Sequence, residues 1–123
     1  AKGLAVLVYR LSEHGPLSRD FALRDQIRRS AVSIASNLAE GEERGTDKDS
    51  VRFFYMAKGS VGELRMQTEI ATELGLLDRT DSENLLSQCH ILSRMIGRLI
   101  QVRSQASRPV PRATSLRERE SRP

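Results

Sequence analysis

Tryptophan is absent from this 123-residue chain, and tyrosine and phenylalanine bring the aromatic share to only 4%. A core so short of rings has to be filled by Leu, Ile, Val and Ala, which suits helices packed on helices. The single cysteine, Cys89, excludes an internal disulfide framework and a cysteine-built zinc site. The two histidines, His14 and His90, cannot supply the missing ligands. No metal or other cofactor is expected. A lone thiol fits a reducing, cytoplasmic setting. No run approaches the ~20 apolar residues that cross a bilayer. Leu4-Ala5-Val6-Leu7-Val8 is too short, and it lacks the charged leader and cleavage site of a signal peptide. No membrane partner is expected. The chain opens on Ala1-Lys2-Gly3 without an initiator Met, so further residues are expected ahead of Ala1.

What is present is a globular composition, 38% hydrophobic and 29% charged, in a length suited to one domain with a core of its own. The net charge of +4 is unevenly spread. Residues 106–123 hold five arginines against two glutamates, which leaves +1 for residues 1–105. The high pI is mostly a property of that end. Basic charge attracts nucleic acid at low salt, but a body at +1 advertises little.

Four helical segments follow from spacing. The first runs over roughly 2–14, with Leu4, Leu7, Val8 and Leu11 at helical intervals, and stops at the breaker pair Gly15-Pro16. The second covers roughly 18–42, with Ser18 as its expected N-cap and Leu23, Ile27, Ala31, Ile34 and Leu38 as one apolar stripe. The third begins at Thr46 or Asp47 and runs to Leu74, with Phe54, Ala57, Val61, Leu64 and Ala71 as its stripe, Thr68 interrupting it, and Gly75 closing it. Gly59 and Gly62 lie inside this helix, each at a cost of about 1 kcal/mol relative to Ala. Close approach of another backbone is the expected compensation. The fourth opens on a capping box, Thr80-Asp81-Ser82-Glu83, carries Leu85, Cys89, Leu92, Ile96 and Leu99, and fades near Gln105. Short connections make sequential helices antiparallel neighbours. The expected fold is all-α, an up-down-up-down four-helix bundle over 1–105, followed by a disordered basic Pro/Arg/Ser-rich tail over 106–123.

The third and fourth helices carry more apolar surface than one core uses. Apolar positions from Leu85 to Val102 cover an arc of roughly 220°. Phe53, Phe54 and Tyr55 are consecutive, so they point about 100° apart. Phe53, Tyr55, Ile91, Met95 and Val102 are therefore the expected oligomer interface.

The second helix also carries a polar stripe. Ser33, Asn37, Glu40 and Arg44 follow i, i+4, i+7 and i+11, bordering a neighbouring helix or subunit. Glu63 on the third helix is a candidate partner across that border, with Arg28, Arg29 and Arg44 as candidate cations.

The segment Gln26-Ile27-Arg28-Arg29-Ser30-Ala31-Val32-Ser33-Ile34-Ala35-Ser36-Asn37-Leu38-Ala39-Glu40-Gly41, with Ala57-Lys58-Gly59-Ser60-Val61-Gly62-Glu63-Leu64 after it, resembles the paired signature of the 23S rRNA intervening-sequence proteins. The likeness covers about residues 4–104, and Ala35 stands where that family commonly has proline. The resemblance implies a four-helix bundle that assembles as a ring-like homopentamer. Some members are encoded inside insertions of large-subunit ribosomal RNA genes. A related branch serves diversity-generating retroelements as an accessory protein that binds a reverse transcriptase and nucleic acid. No catalytic residues carry over. The motif residues map to Arg28, Ser36, Asn37, Glu40, Gly41, Gly59, Ser60 and Glu63, with packing and inter-helix hydrogen bonding as the implied roles.

Two function classes stand side by side. One is a non-enzymatic, homo-oligomeric scaffold with protein partners. The other is a nucleic-acid-associated protein binding RNA or DNA, for which Arg24, Arg28, Arg29, Lys48 and Arg52 are the candidate contacts. An acidic surround for Lys48 and Arg52, and the lack of aromatics to stack bases, argue against the second. Catalysis is not expected. Glu40 and Glu63 alone have no nucleophile, phosphate loop or metal cluster beside them. Cys89 reads as a small core residue and His14 as a helix-end surface residue.

Overall fold

The computed structural model describes residues 1–106. Four α-helices make up this part of the chain, with no strand among the described residues: α1 (Lys2–Ser12), α2 (Phe21–Glu43), α3 (Asp47–Glu73) and α4 (Arg79–Ala106). The basic tail expected over 106–123 lies outside the described residues, apart from Ala106 at the end of α4.

The boundaries follow from local chemistry. Gly15, at φ +70°, turns the chain into a single 3₁₀ turn, Pro16–Arg19, which the breaker pair hid within a plain loop. Ser18 is therefore not the cap of α2. Its hydroxyl donates to the Gly15 carbonyl (2.6 Å), and Asp20 caps α2 by accepting from the Leu23 amide (3.1 Å). Thr46 caps α3 as expected, accepting from the Asp49 amide at 3.2 Å, with Asp47 and Asp49 in the first turn. At the far end of α3, Leu76 N–H donates to Ala71 O (2.8 Å) and Gly75 N–H to Thr72 O (3.0 Å), with Gly75 at φ +75°. That is a Schellman closure, and it needs the left-handed residue that glycine supplies. The start of α4 corrects the capping-box reading. Asp78 accepts from the Asp81 amide (2.8 Å), and α4 begins at Arg79, so Thr80 is already helical.

Hydrogen bonds fix the direction of the long helices. Ser30 meets Gln67, Ser33 meets Ser60, and Ser50 reaches the Gly41 carbonyl, so α2 and α3 run antiparallel. Thr72 meets Ser82 at one end of α3 and Ser50 meets Arg103 at the other, so α3 and α4 do too. The end of α1 lies beside the α3–α4 turn, where Arg10, Leu11 and His14 share a depression with Gly75, Leu76 and Asp78. With 11 residues against 23 to 28 in the others, α1 spans less than half their length.

The core is one cluster drawn from all four helices, including Leu4, Val8, Leu17, Ile27, Ile34, Phe54, Leu64, Leu85, Cys89 and Ile96. Phe54 is the largest fully buried side chain. Six hydroxyl residues are buried with it: Ser12, Ser30, Ser50, Ser60, Thr68 and Ser82. Each is hydrogen-bonded, as burial demands. Thr68, the interruption in the α3 stripe, returns its hydroxyl to the Leu64 carbonyl (2.8 Å), so it sits in the core at little polar cost. Among the described residues no helix is long and apolar enough to cross a membrane.

Candidate interaction surface

A polar seam joins α2 to α3. Ser60 donates its proton to the Met56 carbonyl (3.2 Å). Its oxygen therefore accepts from Ser33, at 2.8 Å, because a hydroxyl has only one proton to give. Asn37 in turn donates to the Ser33 hydroxyl (3.1 Å) and carbonyl (2.9 Å). Two further links, Ser30 to Gln67 (2.9 Å) and Ser50 to Gly41 O (2.7 Å), bracket the chain. No buried side-chain nitrogen or oxygen among the described residues lacks a partner.

The end of the seam is closed by Arg103 of α4, which lies near Glu42 (3.6 Å), Asp47 (3.4 Å) and Ser50 (3.4 Å), with its guanidinium 5.8 Å from the Phe54 ring centre. Where α2 passes Phe54, the chain uses Gly41. A Cβ there would stand 2.5 Å from the ring. Gly41 is thus the close-packing glycine, where Gly59 and Gly62 were expected. Both of those are exposed, and neither has a heavy atom within 4 Å of where a Cβ would stand.

Charge gathers where α3 faces α4. Lys58 and Arg65 line a groove with Val61, Gly62, Cys89 and His90. Arg94 and Arg98, with Gly97, line the adjoining surface of α4. Lys58 links the two, since its Nζ comes within 3.5 Å of where a Gly97 Cβ would stand. Cys89 forms the floor. It is buried and free, and desolvation pushes its thiol up to about 11 even though Arg65 pulls the other way. No group of three or more His, Cys, Asp or Glu among the described residues is placed to hold a metal ion.

Known proteins give this arrangement a family. The model of the 23S rRNA-intervening sequence protein family matches residues 1–98. The chain belongs to that family. A solved Bacteroides thetaiotaomicron protein of unknown function, from the S23 ribosomal protein family, shares the fold at a TM-score of 0.73. It is 20% identical in sequence, over 80% of this chain and 92% of that one. No curated protein matches the chain.

In this member of the 23S rRNA-intervening sequence protein family the motif residues divide into two sets. Arg28, Asn37, Gly41 and Ser60 face inward. Arg28 donates to Ser12 (2.7 Å) and stacks 4.6 Å from the Tyr9 ring centre, which ties α1 to α2. Ser36, Glu40, Gly59 and Glu63 are exposed. Glu40 pairs along its own helix with Arg44. Glu63 makes no ion pair among the described residues, so it is not the seam's cross-partner; Ser60, three residues earlier, meets α2 instead.

The candidate nucleic-acid contacts are not one surface. Arg24, Arg28 and Arg29 lie near the start of α2, while Lys48 and Arg52 lie at the opposite end of the α2–α3 pair, about 20 Å away along the axis. Arg24 is held by Asp25 (3.0 Å) and the Ser18 carbonyl (3.2 Å), and stacks on Phe21 (4.8 Å). Arg52 stacks on Phe53 (4.9 Å). Arg29 and Lys48 are exposed.

The expected interface residues also separate. Phe53 is half-buried, with the guanidinium groups of Arg44 and Arg52 over its ring. Tyr55 is exposed on α3. Ile91, Met95 and Val102 are 61%, 47% and 54% exposed and fall within about 40° of one another on α4. Met66 and Ile70, which the spacing did not single out, are exposed on the outer face of α3 within about 20° of Gly59.

Proposed function

We propose that the chain is a non-enzymatic subunit of a ring-like cytoplasmic homopentamer that serves as an interaction scaffold. The observation that carries this reading is the α4 strip of Ile91, Met95 and Val102, about half-exposed side chains on one line of a helix. Water-facing apolar surface arranged in a strip, rather than scattered singly, marks a place where another surface fits. A second strip, Met66 and Ile70 beside the open Gly59, lies on α3. Two different apolar strips on one protomer suit a head-to-tail contact, the type that closes into rings. The non-enzymatic part of the proposal is supported by the seam, whose hydroxyls bond to one another, to amides and to backbone carbonyls.

Native mass spectrometry of the full chain at micromolar concentration tests the assembly. The expected result is a species of five times the 13.8 kDa protomer mass. A monomer under those conditions would overturn the proposal.

A further inference from the structure

Where α1 lies on α2, the surface holds an open hollow of about 460 Å³, lined by Tyr9, Asp25, Arg28, Arg29, Val32 and Ser33. Arg28 gives it a fixed cation. Ser12 is buried and spends its single proton on carbonyls of its own helix, Val8 at 2.7 Å, so its oxygen accepts from Arg28 Nε at 2.7 Å. The Tyr9 ring lies against the same guanidinium, its centre 4.6 Å from the central carbon. These two contacts hold a group that an exposed arginine leaves free to swing. Both Nη atoms remain unused. They make no hydrogen bond or ion pair among the described residues, and they reach solvent. A guanidinium held at Nε offers its Nη pair end-on, the geometry that grips a carboxylate through two parallel hydrogen bonds.

The other lining residues narrow the class of ligand. Tyr9 and Val32 are each 42% exposed, so a ring and a branched side chain are there to pack an apolar body. Val32 lies one turn beyond Arg28 on the same face of α2. Asp25 already accepts from Arg24 (3.0 Å). Ser33 gives its proton to Ser60 and accepts from Asn37, so it has no donor left for a ligand. Arg28 and Arg29 against Asp25 leave the lining at +1, which matches a monoanion better than a doubly charged phosphate. The volume falls within the ~300–1,000 Å³ of small-molecule clefts, and exceeds what one acidic side chain fills.

We propose that this hollow binds a small organic monocarboxylate with an aromatic or branched apolar body. Arg28 grips the carboxylate end-on, Arg29 adds attraction at longer range, and Tyr9 and Val32 pack the body. The site is complete on one protomer and does not depend on a ring.

The test is a titration of the isotope-labelled full chain with sodium phenylacetate, followed by NMR at the Arg28 Nε–H and at the Val32 and Ser33 amides. Saturable shifts confined to these residues and their neighbours are expected, with half-saturation on the order of 1 mM, a modest affinity for about ten heavy atoms. Phenylacetamide, the neutral isostere, is expected to bind at least about tenfold more weakly, because it brings no charge to the guanidinium. Val32→Glu sets a carboxylate one turn from Arg28, where it takes the Nη pair. That variant changes only a half-exposed side chain, so it should fold as the unaltered chain does and lose the saturable shifts. Arg28→Lys keeps the charge without the fork and should weaken binding by at least about fivefold. Arg94→Gln, an exposed arginine on α4, should leave it unchanged. Equal binding of the amide, tighter binding of inorganic phosphate, shifts spread over arginines of every helix, or undiminished binding by Val32→Glu each overturn the proposal. So does a fall in particle mass by light scattering as phenylacetate is added, which would assign the hollow to a carboxylate of a second copy.

Discussion

At the scale of single residues, glycine separates two kinds of environment. Gly41 lies under the Phe54 ring, where a Cβ would stand 2.5 Å from Cε1 of a fully buried side chain. Gly41→Ala should gain about 1 kcal/mol of helix propensity and lose more to the displaced ring, for a net destabilisation of about 1–3 kcal/mol. Gly59→Ala and Gly62→Ala meet nothing within 4 Å, so each should stabilise the isolated fold by about 0.5–1 kcal/mol. Urea denaturation of the three variants checks the ordering. Gly59 and Gly62 were legible as glycines inside a helix, whereas Gly41 read as a helix-ending glycine, and which of the three touched a neighbour was not legible. That depends on the rotation of α2 against α3, which no single-helix pattern encodes. Cys89 was legible as core because it falls on the α4 stripe. Its burial has a consequence in pH. The unfolded thiol ionises near its ordinary value of 9, while the folded one holds its proton to about 11. Between those values the folded state binds more protons than the unfolded state, so stability falls as pH rises through the window. Below pH 9 the thiol adds no such slope. Stability measured from pH 8 to 11 should therefore fall more steeply for the unaltered chain than for Cys89→Ala. Parallel curves would contradict the burial argument.

At the scale of elements, the helices were legible from apolar spacing and their ends from capping chemistry, with two informative failures. Both concern which of several clustered oxygens closes a helix. Ser18 and Thr80 each satisfy the pattern for an N-cap, yet Asp20 and Asp78 hold the role. For α2 the reason is the 3₁₀ turn set by Gly15 and Pro16, which consumes Ser18 and pushes the helix start along the chain. For α4 the Schellman closure of α3 leaves only three residues, Leu76 to Asp78, before the next helix begins. Leu77 is buried in that short link, which pins the register so that Ser82 faces Thr72 and Thr80 falls past the helix start. Asp78→Ala should accordingly cost about 1 kcal/mol, while Thr80→Ala should stay within about 0.5 kcal/mol of the unaltered chain. Thermal unfolding of the two variants distinguishes the arrangements, and a larger loss from Thr80→Ala would restore the capping box. The seam belongs to this scale as well. Ser33 and Asn37 were readable as one flank of α2, but Glu63 looked the better partner because charge is conspicuous in a sequence and hydroxyls are not.

At the scale of the whole molecule, sequence totals mislead because they average over faces. A net +1 body conceals an exposed pair of cations, Lys58 and Arg65, lining the α3–α4 groove, although Glu63 and Glu69 share their helix. The same averaging hides how apolar surface is divided. The excess on α4 was visible as an arc, but its two flanks differ: Ile100 is buried, while Ile91, Met95 and Val102 face water. If that strip holds protomers together, it should govern stability through mass action. Anything that binds only the folded state raises the apparent stability with its own concentration, and here the binding partner is another copy of the chain. The unaltered chain should therefore unfold at a temperature that climbs as its concentration rises from low to high micromolar. Ile91→Glu with Met95→Glu places two like charges on the strip without touching the core, because both positions are about half exposed in the single chain. The double variant should fold, with helical circular dichroism close to that of the unaltered chain, but its unfolding temperature should no longer depend on concentration. A double variant that keeps the dependence would move the contact off α4 and onto the strip of α3.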